Sequence, residues 1–92
     1  MSKQDSSADE LFDLKNSFYL GNFQQAINEA QKLRVNDPKL LVEKDVYMYR
    51  AYIAQKKYGV VLDDIKSSAT DELKYVRLMA EYLSSDSKKL VF

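Results

Sequence analysis

Two groups of carboxylates, Asp9/Glu10/Asp13 and Asp63-Asp64, are where this 92-residue chain could move protons or hold a cation. The second lacks the right geometry. Adjacent residues on a helix point about 100° apart, so Asp63 and Asp64 do not converge as a general acid/base pair. The chain has no histidine and no cysteine, hence no imidazole base, thiol nucleophile or zinc-type ligand set. It has no oxygen-ligand loop for calcium and no glycine-rich loop for phosphate. Ser6, Ser7, Ser84, Ser85 and Ser87 read as loop and cap residues. The expectation is a non-catalytic protein without cofactor or metal. The remaining chemistry is recognition. Asn16, Arg50 and Arg77 supply amide and guanidinium donors, and Phe12, Tyr19 and Tyr47 supply aromatic surface.

Composition narrows the partner. Fourteen basic and fourteen acidic residues cancel, so there is no cationic excess for a nucleic-acid backbone or an anionic membrane surface. The apolar share of 46% suits a globular chain rather than a disordered one. Two glycines and one proline leave too little turn chemistry for an all-β fold. Seven tyrosines and four phenylalanines suit wedge packing between helices. No apolar run approaches the ~18–20 residues that span a bilayer. The N-terminal MSKQDSSADE is polar and lacks a signal core. A cytoplasmic protein is expected, forming one small domain or part of a larger one.

Helical periodicity organises what positions these residues. Met1 to Ser6 reads as a disordered tail, and Ser7-Ala8-Asp9-Glu10 has the form of a capping box opening a first helix. Leu11, Leu14 and Phe18 share one face, with Phe12 and Tyr19 alongside. Gly21 suits a left-handed helix end. A second helix starts near Phe23, with Phe23, Ala26, Ile27, Ala30 and Leu33 on its apolar face, and Asn36-Asp37-Pro38 ends it. A third is expected from about Val42 to Gln55, using Val46, Tyr49, Tyr52 and Ile53. Lys56-Lys57 makes the next turn. Tyr58, Val61, Leu62 and Ile65 then repeat the spacing of Phe23, Ala26, Ile27 and Ala30, 35 residues on. After a Ser67–Thr70 loop, a fifth helix over about Asp71 to Leu83 buries Val76, Met79 and Leu83, flanked by Tyr75 and Tyr82. Ser84 to Ser87 is a polar break, and Lys88 to Phe92 opens another apolar pattern. Five helices in about two and a half hairpins follow, over residues 7–92. The expectation is a fragment or short isoform of a longer solenoid, prone to self-association through Tyr75, Tyr82, Leu90 and Phe92.

A period of about 34–35 residues, one helical hairpin per unit, resembles tetratricopeptide repeats. The first unit matches at Leu14, Phe18, Gly21, Phe23, Ala26 and Pro38, the second at Tyr52, Tyr58 and Val61, the third at Tyr82. Lys15 replaces a small residue, Lys56 replaces the turn glycine, and the first inter-helix turn is one residue short. Three blocks carry a closer resemblance: ELFDLKNSFYLGNFQQAINEAQ, VEKDVYMYRAYIAQKKYGVVLDDIKSS and ELKYVRLMAEYLSS. In order and spacing they resemble the N-terminal part of the epsilon subunit of coatomer, the COPI vesicle coat. Family members are roughly three times longer by repeat arithmetic. The resemblance implies an all-α, tetratricopeptide-like solenoid without enzymatic activity. It implies binding to the C-terminal region of the coatomer alpha subunit, alongside other coatomer subunits. It places the protein on Golgi membranes and COPI vesicles, peripherally and through the coat, in Golgi-to-endoplasmic-reticulum and intra-Golgi transport.

In such solenoids the first helix of each hairpin lines the concave face. Helical phase then nominates Phe12, Asn16 and Tyr19, Tyr47, Arg50 and Ile53, and Val76, Arg77 and Ala80 as protein-binding residues. The competing reading leaves Arg50 and Arg77 solvated or paired with Glu43, Asp45 or Glu81, and gives the aromatics to inter-repeat packing. An alternative function is a co-chaperone-type adaptor that clamps an acidic C-terminal peptide through Asn16, Arg50 and Arg77. A membrane-surface amphipathic role is the third reading, and the neutral charge opposes it.

Overall fold

The computed structural model describes residues 10–66 and 69–89, with side chains as far as residue 84. The Met1–Ser6 tail, Ser7 of the capping box, Ser67-Ser68 and Leu90–Phe92 lie outside the described residues, as do the side chains of Ser85 and Ser87. Five helices occur in the described part: α1 (Phe12–Tyr19), α2 (Phe23–Lys32), α3 (Pro38–Ala54), α4 (Tyr58–Asp64) and α5 (Asp71–Lys89). The fold is all-α, as the periodicity requires. Successive helices pack on one another, and α1 also touches α3 while α3 touches α5. Helices α2 and α4 do not touch. The first helix of each hairpin therefore forms one continuous layer, α1–α3–α5, with α2 and α4 behind it.

The two inter-helix turns have the same construction. Gly21 sits at φ 84° and Lys56 at φ 63°. Asn22 N–H donates to the Ser17 carbonyl at 2.9 Å and Gly21 N–H to the Phe18 carbonyl at 3.1 Å. Thirty-five residues later, Lys57 N–H donates to the Tyr52 carbonyl at 2.9 Å and Lys56 N–H to the Ile53 carbonyl at 2.8 Å. Both are Schellman closures, in which a left-handed residue turns two amides back onto the last helical carbonyls. Glycine adopts that conformation freely; lysine does so at a cost.

Four boundaries differ from the sequence expectation. Helix α1 begins at Phe12, with Leu11 at the cap position and no side-chain cap bond. Helix α2 ends at Lys32 rather than at Asn36-Asp37-Pro38, and Leu33 is already extended. Pro38 instead opens α3, four residues before Val42: Asp37 is the N-cap, and its carboxylate accepts from Lys39 N–H at 2.9 Å. Proline is favoured there because the first helical turn leaves its N–H unused anyway. Helix α5 runs through the supposed break at Ser84–Ser87 to Lys89, so no new helix opens at Lys88. Serine is only a mild helix breaker, and no glycine or proline lies between Asp71 and Lys89.

Two apolar clusters fill the layers. Leu11, Leu14, Ala26, Ile27, Ala30 and Ala51 form the first, with Phe18, Phe23, Leu33, Leu40, Tyr47, Met48 and Tyr52 packed around it. Ile53, Val61, Ile65, Val76 and Ala80 form the second, with Val46, Tyr49, Tyr52, Leu62 and Leu73 against it. Met79, expected inside, is 45% exposed, and Ala80 takes the core position instead. An alanine at 0% exposure lets the α5 backbone approach its neighbours closely, where a methionine would hold it off.

The turns make a reciprocal prediction. A Cβ at Gly21 would meet nothing within 4 Å, so Gly21→Ala carries only the backbone penalty, about 1 kcal/mol of lost stability. Lys56→Gly relieves the same strain and should raise stability by about 0.5–1 kcal/mol. Urea unfolding of the two variants beside the parent checks both signs.

Candidate functional site

The layer of first helices gives the candidate binding face its frame. Helices α1 and α3 meet along parallel rows: Lys15 pairs with Glu43 at 3.1 Å, and one turn on the Tyr19 and Tyr47 hydroxyls hydrogen-bond at 2.9 Å. Phe18 fills the space beneath. Its ring stands edge-on to Tyr19, Phe23 and Tyr47 at centroid distances of 5.4, 5.6 and 5.3 Å. The Arg50 guanidinium lies 4.8 Å above the Phe18 centroid and 6.0 Å from that of Tyr47. Four aromatic rings and one cation thus join the two hairpins. Edge-to-face pairs contribute about 0.5–1.5 kcal/mol each beyond their buried area, and a partly exposed cation–π contact about 0.5–1 kcal/mol. The half-exposed Lys15–Glu43 pair contributes about 1 kcal/mol at most. Aromatic packing, not charge, holds the joint.

The nominated residues separate into two groups. Phe12, Asn16 and Tyr19 are exposed on α1, and Tyr47, Arg50 and Arg77 are half-buried. Ile53, Val76 and Ala80 are not surface residues: at 7, 5 and 0% exposure they close the second cluster on Val61 and Ile65. Helical phase nominated them for the binding face, and there the sequence expectation is corrected. The packing of α5 onto α3 and α4 covers that side. Arg77 donates to the Glu81 carboxylate at 2.7 Å one turn away, and Arg50 is stacked on rings. Both guanidiniums are engaged within the chain, which weakens the peptide-carboxylate clamp.

Two participants, Phe18 and Lys15, escaped the sequence reading, and Glu43, offered there as a partner for an arginine, pairs with Lys15 instead. Phe18 was assigned to internal packing, yet it is the platform for Arg50. Lys15 and Glu43 pair across helices, and their separation of 28 residues equals that of Tyr19 and Tyr47. That shared offset is the signal that could have found them. Among the carboxylates, Asp64 accepts from the Tyr49 hydroxyl at 3.3 Å, tying α4 to α3, and both Asp63 and Asp64 are exposed. No group of three or more potential metal ligands occurs among the described residues.

Two tyrosines record how far the joint excludes water. Burial, then the hydrogen bond to Tyr19 and the nearby Glu43 charge, push Tyr47 up to about 12, against the opposing pull of Arg50. Burial and the charges of Asp64 and Asp45 push Tyr49 up to about 12 as well. Burial also raises Asp45, partly offset by Lys44. A tyrosine that ionises later in the folded state stabilises the fold fully below the unfolded value of 10.0. That contribution is lost as pH rises from 10 through about 12, because the unfolded chain releases its protons first. Urea midpoints followed across this window should fall with rising pH, and Tyr47→Phe should fall less steeply. A flat dependence in the parent chain would contradict the buried environment.

Known proteins are similar to this sequence. The family described as coatomer epsilon subunit matches residues 7–91. Coatomer subunit epsilon-2 of Arabidopsis thaliana is 40% identical over 89 residues, covering 97% of this chain and 30% of the relative. Coatomer subunit epsilon of Dictyostelium discoideum is 42% identical over 84 residues, 85% of this chain and 28% of its own. Coatomer subunit epsilon of Caenorhabditis elegans is 39% identical over 83 residues, with 89% and 28% covered. The chain spans about 30% of the length of these curated relatives.

Proposed function

The chain belongs to the coatomer epsilon subunit family, and from that premise we propose that it is a non-catalytic scaffold of the COPI vesicle coat. It binds and stabilises the C-terminal region of the coatomer alpha subunit within the assembled coat. It reaches Golgi and vesicle membranes peripherally, through the complex, and serves Golgi-to-endoplasmic-reticulum and intra-Golgi transport. The family match over residues 7–91 carries this reading. The structure supports it with a layer of first helices suited to contact and, among the described residues, no helix long and apolar enough to cross a membrane.

On that layer, the Tyr19–Tyr47–Arg50 group is the centre of the proposed contact, extended by Phe12 and Asn16 on α1 and by Arg77 on α5. Tyrosine and arginine dominate interface hot spots because they offer large, rigid, partly polar surfaces. Tyr19 is 68% exposed although its hydroxyl is already bonded, so its ring is held in place with one side uncovered. An anchor fixed before binding loses little side-chain entropy when a partner covers it.

Titration calorimetry with the C-terminal region of the alpha subunit tests this. Tyr19→Ala and Arg50→Ala should each weaken association about tenfold or more, while Gln31→Ala, on the exposed side of α2, should leave it unchanged. Circular dichroism confirms that the variants remain helical. If a chain extended to the full length of the relatives shows no association, the coat reading fails. If association survives both substitutions, the partner uses another surface.

A further inference from the structure

Two sides of α3 are committed to the core. Leu40, Tyr47 and Ala51 close the first cluster, and Tyr49 and Ile53 the second. Between these sides runs a line at offsets 0, 4, 7 and 11: Lys39, Glu43, Val46 and Arg50. None of the four is buried. The line has two different ends. Towards the start of α3, Pro38, Val42 and Val46 line an open groove of about 590 Å³, walled by Thr70 and Glu72 where α5 begins. Val42 belongs to neither core cluster, so its side chain is available to a visitor. At the other end stands Arg50. The Phe18 ring takes one face of its guanidinium at 4.8 Å and leaves the N–H edges. Among the described residues no hydrogen bond or ion pair uses those edges, and none of the Arg50 nitrogens is sealed from solvent.

We propose that this line reads two points of an extended partner segment: an apolar side chain in the groove and, about four residues away, a side-chain carboxylate on Arg50. The inference deepens the coat reading and rests on the same layer of first helices. Val42 and Arg50 are separated by eight positions, about 12 Å along the helix. An extended chain covers that distance in about four residues. Charge fixes which point is acidic. Lys39 and Glu72 both border the groove, and Glu43 is held by Lys15, so charges balance there. At Arg50 no carboxylate of the described residues balances the guanidinium. Stacking on Phe18 also fixes the plane of that group, so an incoming carboxylate meets parallel N–H donors in a set direction. A chain terminus is held by several converging donors, whereas this line offers one guanidinium, which suits a side-chain carboxylate.

Two contact points alone bind weakly, so nuclear magnetic resonance titration of the isotope-labelled chain is the suitable measurement. The probe is an acetylated and amidated peptide with one leucine and one glutamate about four residues apart in a serine–glycine background. Added to roughly 5 mM, it should shift the resonances of Val42, Val46 and the Arg50 side chain together. Replacing its glutamate by glutamine should weaken binding roughly threefold to fivefold at low salt, and the difference should shrink at about 0.5 M salt. In the Arg50→Gln chain the two peptides should bind alike, as a double-substitution cycle requires of a direct pair. Replacing the leucine by serine should remove the shifts at Val42 and Val46. The peptide changes leave the protein untouched, so folding does not enter the comparison. A peptide that shifts none of these resonances, or a glutamine peptide that binds the parent chain as well as the glutamate peptide, overturns the proposal. Binding of the peptide without binding of the alpha-subunit region would overturn the coat reading alone, and the converse would overturn this inference alone.

Discussion

Neither hairpin can hide its apolar face alone, and α3 is where this constraint is met. One side of α3 closes the cluster built on Leu11, Leu14 and Ile27, and the other closes the cluster built on Val61 and Ile65. Tyr52 touches both. Fully burying a leucine or isoleucine stabilises by about 1.5–3 kcal/mol, so each cluster carries several times the energy of any surface contact in the molecule. Remove α3 and the hairpin α1–α2 and the helices α4 and α5 each face water with an open core. Ala51 and Ala80, both at 0% exposure, make the shared arrangement dense by letting backbones approach closely.

The proposed binding face is a by-product of that stacking. Because α1 lies beside α3, the aromatic ends of the two helices are forced together, and Tyr19, Tyr47, Phe18 and Arg50 interlock. The same contacts that stiffen the junction between hairpins leave a rigid, partly polar surface on one side. Recognition and architecture are thus linked at one place. A change that loosens the junction also disorders the surface.

Much of this was legible in the residues. The i, i+3, i+4, i+7 pattern located the start of α2 and both ends of α4 closely, and the 35-residue echo identified hairpins. Gly21 announced its left-handed turn. Lys56 did not: only the second Schellman closure, with its two amide bonds to Tyr52 and Ile53, shows that a lysine fills the glycine's place. Asp37-Pro38 was ambiguous, because a proline ends one helix and begins another with the same fixed φ. The structure assigns it to the beginning of α3 through the Asp37 cap on Lys39. Ser84–Ser87 looked like a break on polarity alone, although a run without glycine or proline can continue a helix.

The candidate site was legible in residue type more than in exposure. Sequence by itself determined the helices, their hairpin period and the absence of histidine and cysteine chemistry. These follow from local periodicity and composition, which need no partner. Tertiary structure alone decided that Ile53, Val76 and Ala80 are core, that Arg50 rests on Phe18, and which stripe of α5 is covered. A helix with two apolar stripes has two equivalent ways to bury one of them as far as its own periodicity is concerned. The choice belongs to the neighbouring helices, whose packing selects the side with Val76 and Ala80 and leaves Tyr75, Leu78, Met79 and Tyr82 to the solvent.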